Sequence, residues 1–374
     1  MKRRRNSSPP FLPNPTSTLL LDTKVDASLN NVNNNNDYND YNNNINTSFK
    51  KQSTGFKIVP VPGGFKNEKL NVPDRIVPEI PPGSFELHTV IAFLGAKRSG
   101  KTNVACLLAK KYQEFGSFTR IFVISPTFEA QPEFKVLDIK DEDVYENADK
   151  SIEAITDIER KIKEESLSYK EFLKYKIAYD RWKAGNPKFK DIIELEKKDY
   201  EEPDPKRKRP SSLLILDDLS HNKIYLPSTK NPFINLVLRH RHVGGKGYGC
   251  SIFMMAQTFK SGIPRVLRQG GVSQFIIFPS KDKTNIREMY EEFGSACTME
   301  DFIAMYDLAT KEVHHFLLVD AYNPDPAKRF RQDFDHYLCP AGLEVKPEDI
   351  EGENKEKKRK RKKLEKAEVK EMVD

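Results

Sequence analysis

Cysteine is scarce in this 374-residue chain. The four, Cys106, Cys250, Cys297 and Cys339, stand too far apart for the paired spacing of a structural zinc site or the framework of a disulfide-stapled secreted domain. A reducing intracellular compartment is the expectation that follows. Long apolar runs are missing as well: nothing approaches the roughly 18 uninterrupted apolar residues of a membrane span. The basic residues Lys2 to Arg5 lead into asparagines where a signal peptide would have its hydrophobic centre, so a soluble, non-secreted protein is expected. With 31% of residues charged and a mean hydropathy of -0.66, much of the chain has to lie outside any core. Neither sign of charge dominates, at 62 Lys plus Arg against 55 Asp plus Glu. The small excess is gathered at Lys2 to Arg5, Lys206 to Arg209 and Lys355 to Lys363.

What is present is unevenly distributed. Residues 1 to about 75 carry the Asn-rich tract SLNNVNNNNDYNDYNNNINTS and then VPVPGGF, without hydrophobic periodicity, and read as a disordered basic arm. Residues 76 to 335 alternate apolar runs with helix-like segments, the pattern of an α/β domain with a mostly parallel sheet flanked by helices. Five runs, HTVIAFL, RIFVIS, LLILDD, SIFMMAQ and QFIIF, are strand candidates, with HHFLLVD as a sixth. Residues 136 to 210 form a charged helical insertion in which Ile152, Ile155, Ile158 and Ile162 recur at helical spacing, continued by Tyr169, Leu173 and Ile177. It reads as an amphipathic helical pair packed on the sheet, or alternatively as a mobile lever that binds a partner. Residues 336 to 374 end in KEKKRKRKKLEKAEVKEMVD, a basic tail.

The chemistry begins at IAFLGAKRSGKTNVACLLAKKY. Gly95, Ala96, Lys97, Arg98, Ser99, Gly100, Lys101 and Thr102 fit the phosphate-loop pattern between an apolar strand and a helix. Glycine lets the backbone curl so that successive N–H groups face an anion, Lys101 reaches the β- and γ-phosphates of ATP, and the Thr102 hydroxyl binds Mg²⁺. A Gly-rich turn without ligand is the plain alternative. In SSLLILDDLS four apolar residues lead to Asp217 and Asp218, which reads as a Walker B strand: Asp217 for Mg²⁺, Asp218 as general base. Here the alternative is a strand followed by a helix-capping Asp. CSIFMMAQTF ends in Gln257, which falls beside the γ-phosphate if its strand neighbours the phosphate-loop strand, and is otherwise a solvent-facing strand end. In NPFINLVLRHRHVGGKGYG a helix capped by Asn231 and Pro232 closes on Arg239, His240, Arg241 and His242, cations that suit a helix C-terminus whether or not they act in catalysis. No carboxylate or thiol stands at ligating distance from the two histidines, so no metal is assigned beyond nucleotide-bound Mg²⁺.

Taken in order, GAKRSGKT, LLILDD, RHRHVG, MMAQT and IPRVLRQ resemble the FtsK/HerA superfamily of ring-forming DNA-pumping ATPases, specifically its viral genome-packaging branch of the poxvirus, virophage and Polinton-like type. The resemblance spans about Leu87 to Tyr322. It implies a P-loop NTPase fold and an ATP-driven translocase that threads double-stranded DNA into a preformed capsid. By position it assigns Lys101 and Thr102 to nucleotide and Mg²⁺, Asp217 to Mg²⁺, Asp218 to the catalytic carboxylate and Gln257 to the sensor. Arg241 becomes the candidate finger acting on a neighbour's ATP, with Arg268 the second choice. Asp218 departs from the glutamate common at its position. The implied partners are double-stranded DNA, capsid or portal-vertex proteins and further copies of the chain in a homo-oligomeric ring. The implied location is the host nucleus or a cytoplasmic virus factory, with association with the virion. PKRKRP, from Pro205 to Pro210, resembles a nuclear-localisation signal but equally suits contact with a DNA backbone or a solubilising loop. Against this stand a nucleotide-switched scaffold and a terminase-like or helicase-like NTPase, the terminase requiring a nuclease domain for which little chain remains after Tyr322.

Overall fold

The computed structural model describes residues 77–219, 222–226, 228, 230–294 and 297–346. The N-terminal arm and all but the first residues of the C-terminal tail lie outside the described residues.

The apolar runs that lack polar alternation are buried on both faces. Val90–Leu94 (β1), Ser212–Leu216 (β4), Cys250–Ala256 (β5) and Gln274–Ile277 (β6) are buried at every position, and Arg120–Ile124 (β2) nearly so. These five strands pair in parallel in the order β2-β4-β5-β1-β6. The two-residue Val144–Tyr145 (β3) extends that series beyond β2. Beyond β6 the direction reverses: Leu317–Asp320 (β7), Phe330–Gln332 (β8) and His336–Tyr337 (β9) pair antiparallel, making nine strands. All six expected strands are present. The three unexpected ones hold only two or three residues, too few to show a period.

Alternate side chains of each strand face different helices. Ile91 and Phe93 join Val104, Ala105, Leu108 and Tyr112 of helix α1 (Lys101–Phe115). Val90, Ala92 and Leu94 face the other layer, to which five helices contribute. These are α2 (Ser151–Lys183), α4 (Pro232–Arg239), α5 (Arg265–Gly270), α6 (Lys283–Phe293) and α7 (Met299–Ala309). The Asn231 carboxamide caps α4 as expected: its oxygen accepts the Phe233 N–H at 2.9 Å and its nitrogen donates to the Ile224 carbonyl at 2.7 Å.

The insertion divides its loyalties. Ile155, Ile158 and Ile162, in the first half of α2, pack into the sheet core with Leu214 and Leu216. The second half leaves the sheet: Tyr169 and Phe172 pack on Tyr248, while Tyr175 and Ala178 pack on Leu195 of helix α3 (Phe189–Glu196). A helical pair is therefore present, with half of its long member on the sheet and half on its partner.

Because the central strands are parallel, their carboxyl ends share one edge of the sheet, where β1 runs into residues 95–102, β4 into Asp217 and β5 into Gln257. β7, running the other way, brings residues 310–316 to this same edge. The turns that precede β4 and β5, including Arg207, Arg209 and Arg241, lie at the opposite, amino edge.

Candidate nucleotide site

As β1 ends, the Gly95 N–H still donates to the Ala256 carbonyl of β5 at 3.2 Å, and the chain then turns away from the sheet. A Cβ on Gly95 would lie 2.7 Å from Ser99 Oγ and 2.8 Å from Phe278 Cβ, so the first loop position admits only glycine. Arg98 and Gly100 take left-handed backbone conformations with φ of 67° and 100°, which close the loop onto α1. No side chain caps α1, so its first N–H groups keep their hydrogen-bonding capacity and helix dipole for a ligand at the loop. Lys101 Nζ donates to the carbonyls of Gly95 and Ala96, both at 2.8 Å, arching over the loop. Burial pulls its pKa below the ordinary lysine value, opposed by the charges of Asp217 and Asp218. Ala96, Lys97 and Arg98 are exposed along the rim.

Thr102 connects this loop to the acidic strand: its Oγ1 donates to Asp217 Oδ2 at 3.2 Å. Asp217 prolongs the ladder, its N–H donating to the Ile124 carbonyl of β2 at 3.1 Å, and only 5% of the residue is exposed. Burial raises its pKa above the ordinary carboxylate value, against hydrogen bonds from Gln131, Thr102 and the Asp218 N–H that favour the charged form. Asp218 is exposed at a left-handed φ of 51°, its N–H donating to Asp217 Oδ1 at 3.0 Å. β5 lies between β4 and β1, with Ala256 in register with Leu94. Gln257 thus stands opposite Gly95, exposed at the carboxyl edge, the condition on which its sensor assignment depends. Thr102, Asp217, Asp218 and Gln257, drawn from three strand ends, converge on one side of the loop.

Two more side chains belong to this edge and carried no sequence signal. Gln131, in the turn after β2, donates to Thr127 Oγ1 at 2.7 Å and also hydrogen-bonds Asp217, which sequence could indicate only once β2 was known to neighbour β4. His314, in the turn before β7, has Nδ1 at 3.4 Å from the Ser99 carbonyl. Cys106, on α1, is inert by comparison: burial and the nearby Asp217 push its thiol up to about 12.

Neither candidate arginine stands at this edge as a free cation. Arg268, on the short helix α5 (Arg265–Gly270), is 7% exposed and bonds Glu292 of α6 through Nε (3.0 Å) and an Nη (2.9 Å). It also donates to the Lys260 carbonyl and stacks over Phe259. Its whole guanidinium is used inside its own chain. Arg241 is exposed, in the turn after α4, at the amino edge away from its own phosphate loop. Of its neighbours, Arg239 bonds both oxygens of Glu159 at 2.9 Å, and His240 is buried with its ring nitrogens facing the carbonyls of Val237 and His88. In the 205–210 segment, Arg207 stacks over Phe172 and Arg209 over Tyr169 and Tyr248, which fixes that basic run against α2.

Among solved structures, the genome packaging NTPase B204 of Sulfolobus turreted icosahedral virus 2 is similar to this chain. Its complex with ATP-gammaS aligns at 12% identity over 66% of this chain and 96% of that one, with a TM-score of 0.39. Its complex with AMP aligns at 13% identity over 67% and 98%, with a TM-score of 0.41. EssC (ATPases 2 and 3) from Geobacillus thermodenitrificans is similar at 14% identity over 80% of this chain and 52% of that one, with a TM-score of 0.36. No family model and no curated protein matches. The functional reading therefore rests on the site itself.

The donor set suits a small divalent cation. A threonine hydroxyl and a buried carboxylate, adjoining a second carboxylate, are hard oxygen ligands of the kind that hold Mg²⁺ with nucleotide phosphates.

Proposed function

We propose that this chain hydrolyses ATP and uses the energy to translocate double-stranded DNA into a viral capsid. The observation that carries the hydrolase reading is the Thr102–Asp217 contact beneath a glycine-restricted loop, with Gln257 on the strand between them. In this reading the loop N–H groups and the start of α1 receive the β-phosphate, and Lys101 gives up its two loop carbonyls for phosphate oxygens. Thr102 and Asp217 would hold Mg²⁺, which supplies charge neutralisation at the phosphates when bound. Asp218, exposed and adjoining, accepts the proton of the attacking water, and Gln257 serves as the sensor beside the γ-phosphate. The translocation reading is supported by the ordered series of stretches that resemble DNA-pumping ATPases. It implies a homo-oligomeric ring, capsid or portal-vertex partners, contacts with DNA phosphates that ignore sequence, and work in the host nucleus or a cytoplasmic virus factory.

The test is ATP turnover with Mg²⁺, with and without double-stranded DNA. Turnover accelerated by DNA is expected, with Lys101→Ala and Asp217→Ala reducing it to background. Wild-type turnover by Asp217→Ala would overturn the site. Nucleotide binding without turnover in the wild type would favour a switched scaffold.

A further inference from the structure

The turn before β7 reaches the phosphate loop from outside the set of strands that build it. His314 Nδ1 lies 3.4 Å from the Ser99 carbonyl, which as an acceptor requires a proton on that nitrogen. The imidazole also covers Gly100, where an added Cβ would lie 3.0 Å from Nδ1. His314 adopts a left-handed φ of 71°, a conformation that costs a non-glycine residue on the order of 1 kcal/mol or more and persists only where its surroundings impose it. The surroundings do so from the next two residues. The His315 ring bonds Asp333 at 2.5 Å, and the Phe316 N–H donates to the other oxygen of Asp333 at 3.2 Å. Phe316 packs on Phe278, whose Cβ bounds the space above Gly95. The antiparallel end of the sheet thus holds one imidazole against the loop.

The consequence follows from the planarity of the Ser99–Gly100 peptide. In a trans peptide the C=O and the following N–H point in opposite directions. A Ser99 carbonyl held toward His314 therefore directs the Gly100 N–H away from His314. Gly100 itself, with φ of 100°, offers little resistance to rotation of that peptide. We propose that His314 is a positioning residue of the nucleotide site: it locks the Ser99–Gly100 peptide in the anion-receiving orientation and so sets affinity for the nucleotide's phosphates. This rests on the nucleotide site proposed above.

The test compares full-length wild type, His314→Ala, His314→Gly and His314→Asn for equilibrium binding of ADP and of a non-hydrolysable ATP analogue, and for turnover at saturating ATP. Asparagine tolerates the left-handed region and keeps a donor, whereas glycine relieves the backbone and removes the donor. Loss of one hydrogen bond that fixes a peptide should weaken binding roughly fivefold in His314→Ala and His314→Gly. His314→Asn should stay within about twofold, and turnover at saturation should change less than affinity. Affinity equal to wild type in both His314→Ala and His314→Gly would overturn the proposal. So would wild-type affinity in His314→Gly alone, since the histidine would then be only a strained spacer. The melting temperature, expected to be unchanged in His314→Ala and unchanged or higher where glycine relieves the backbone, separates loss of affinity from loss of fold. Wild-type protein that binds neither nucleotide would refute the nucleotide site and this proposal with it; intact wild-type binding with indifferent variants refutes only the role of His314.

Discussion

Asp217 is asked to remain charged where burial disfavours charge. Its pKa lies above the ordinary carboxylate value because burial outweighs the hydrogen bonds from Gln131, Thr102 and the Asp218 amide. The folded protein therefore holds a proton on this group more tightly than the unfolded chain does. By linkage, its contribution to stability falls as pH rises through that raised range, and above it the nucleotide-free fold bears the cost of an ionised Asp217. Asp217→Asn keeps the shape and one acceptor oxygen while removing the charge. It should raise the melting temperature of the nucleotide-free protein by a few degrees, for a gain of about 1 kcal/mol, while abolishing turnover. It should also remove that fall, so that the acid side of a plot of melting temperature against pH rises more steeply than in the wild type. A lower melting temperature at pH 7 would show that hydrogen bonding to the carboxylate outweighs its desolvation.

The helices α5 and α6 place a motif arginine where its sequence position did not indicate. IPRVLRQ suggested Arg268 as an alternative arginine finger, but the helix phase turns that residue inward, onto Glu292 of α6. Arg268→Ala would leave Glu292, whose side chain is 15% exposed, without its cation, a loss on the order of 3 kcal/mol. The expected result is a clearly lower melting temperature, with ATP turnover per folded molecule little changed at a temperature where the variant is folded. Selective loss of turnover at unchanged stability would return Arg268 to the catalytic list. Where burial was expressed as periodicity or as unbroken apolar runs, the sequence was readable: six strands, the capped helix at Asn231 and the isoleucine face of α2 are where they were expected. Strand order was not, because nothing in SIFMMAQ states that it lies between LLILDD and VIAFL. With that order hidden, Gln131 and His314 were invisible, since each enters the site only through a neighbouring strand or an antiparallel return. The left-handed Asp218 also went unseen, because its conformation answers to the hydrogen bond it makes with Asp217 and not to propensity.

Arg241 and the phosphate loop stand at opposite edges of one sheet. If the proposed motor uses Arg241 in hydrolysis, the arginine can do so only by meeting the loop of another copy, and such head-to-tail contacts generate a ring where their rotation closes. Arg241→Ala should then bind ATP normally and lose roughly a thousandfold in turnover. Once subunit exchange is established, mixing it with Asp217→Ala should restore partial activity, because some interfaces would pair an intact acidic site with an intact arginine. Near-normal turnover by Arg241→Ala alone would assign the basic turn to another task, and absence of recovery in an exchanging mixture would count against action in trans.

The strand order also decides when the site comes into being. β1 pairs with no strand close to it in sequence: Val90 lies beside Ile252 and Ile91 beside Gln274. At roughly 5–20 residues per second, a ribosome would need on the order of ten seconds or more after completing the phosphate loop before it delivered both strands that hold β1 in place. Until then Lys101 and Thr102 would face neither the acidic strand nor Phe278, and the loop would have no fixed shape to offer a nucleotide. Closing such distant pairs is also the slow step in forming a parallel sheet. Nucleotide should therefore arrive as a late ligand of a nearly finished chain: it cannot guide early folding, and it should protect from proteolysis only nascent chains that have passed Phe278.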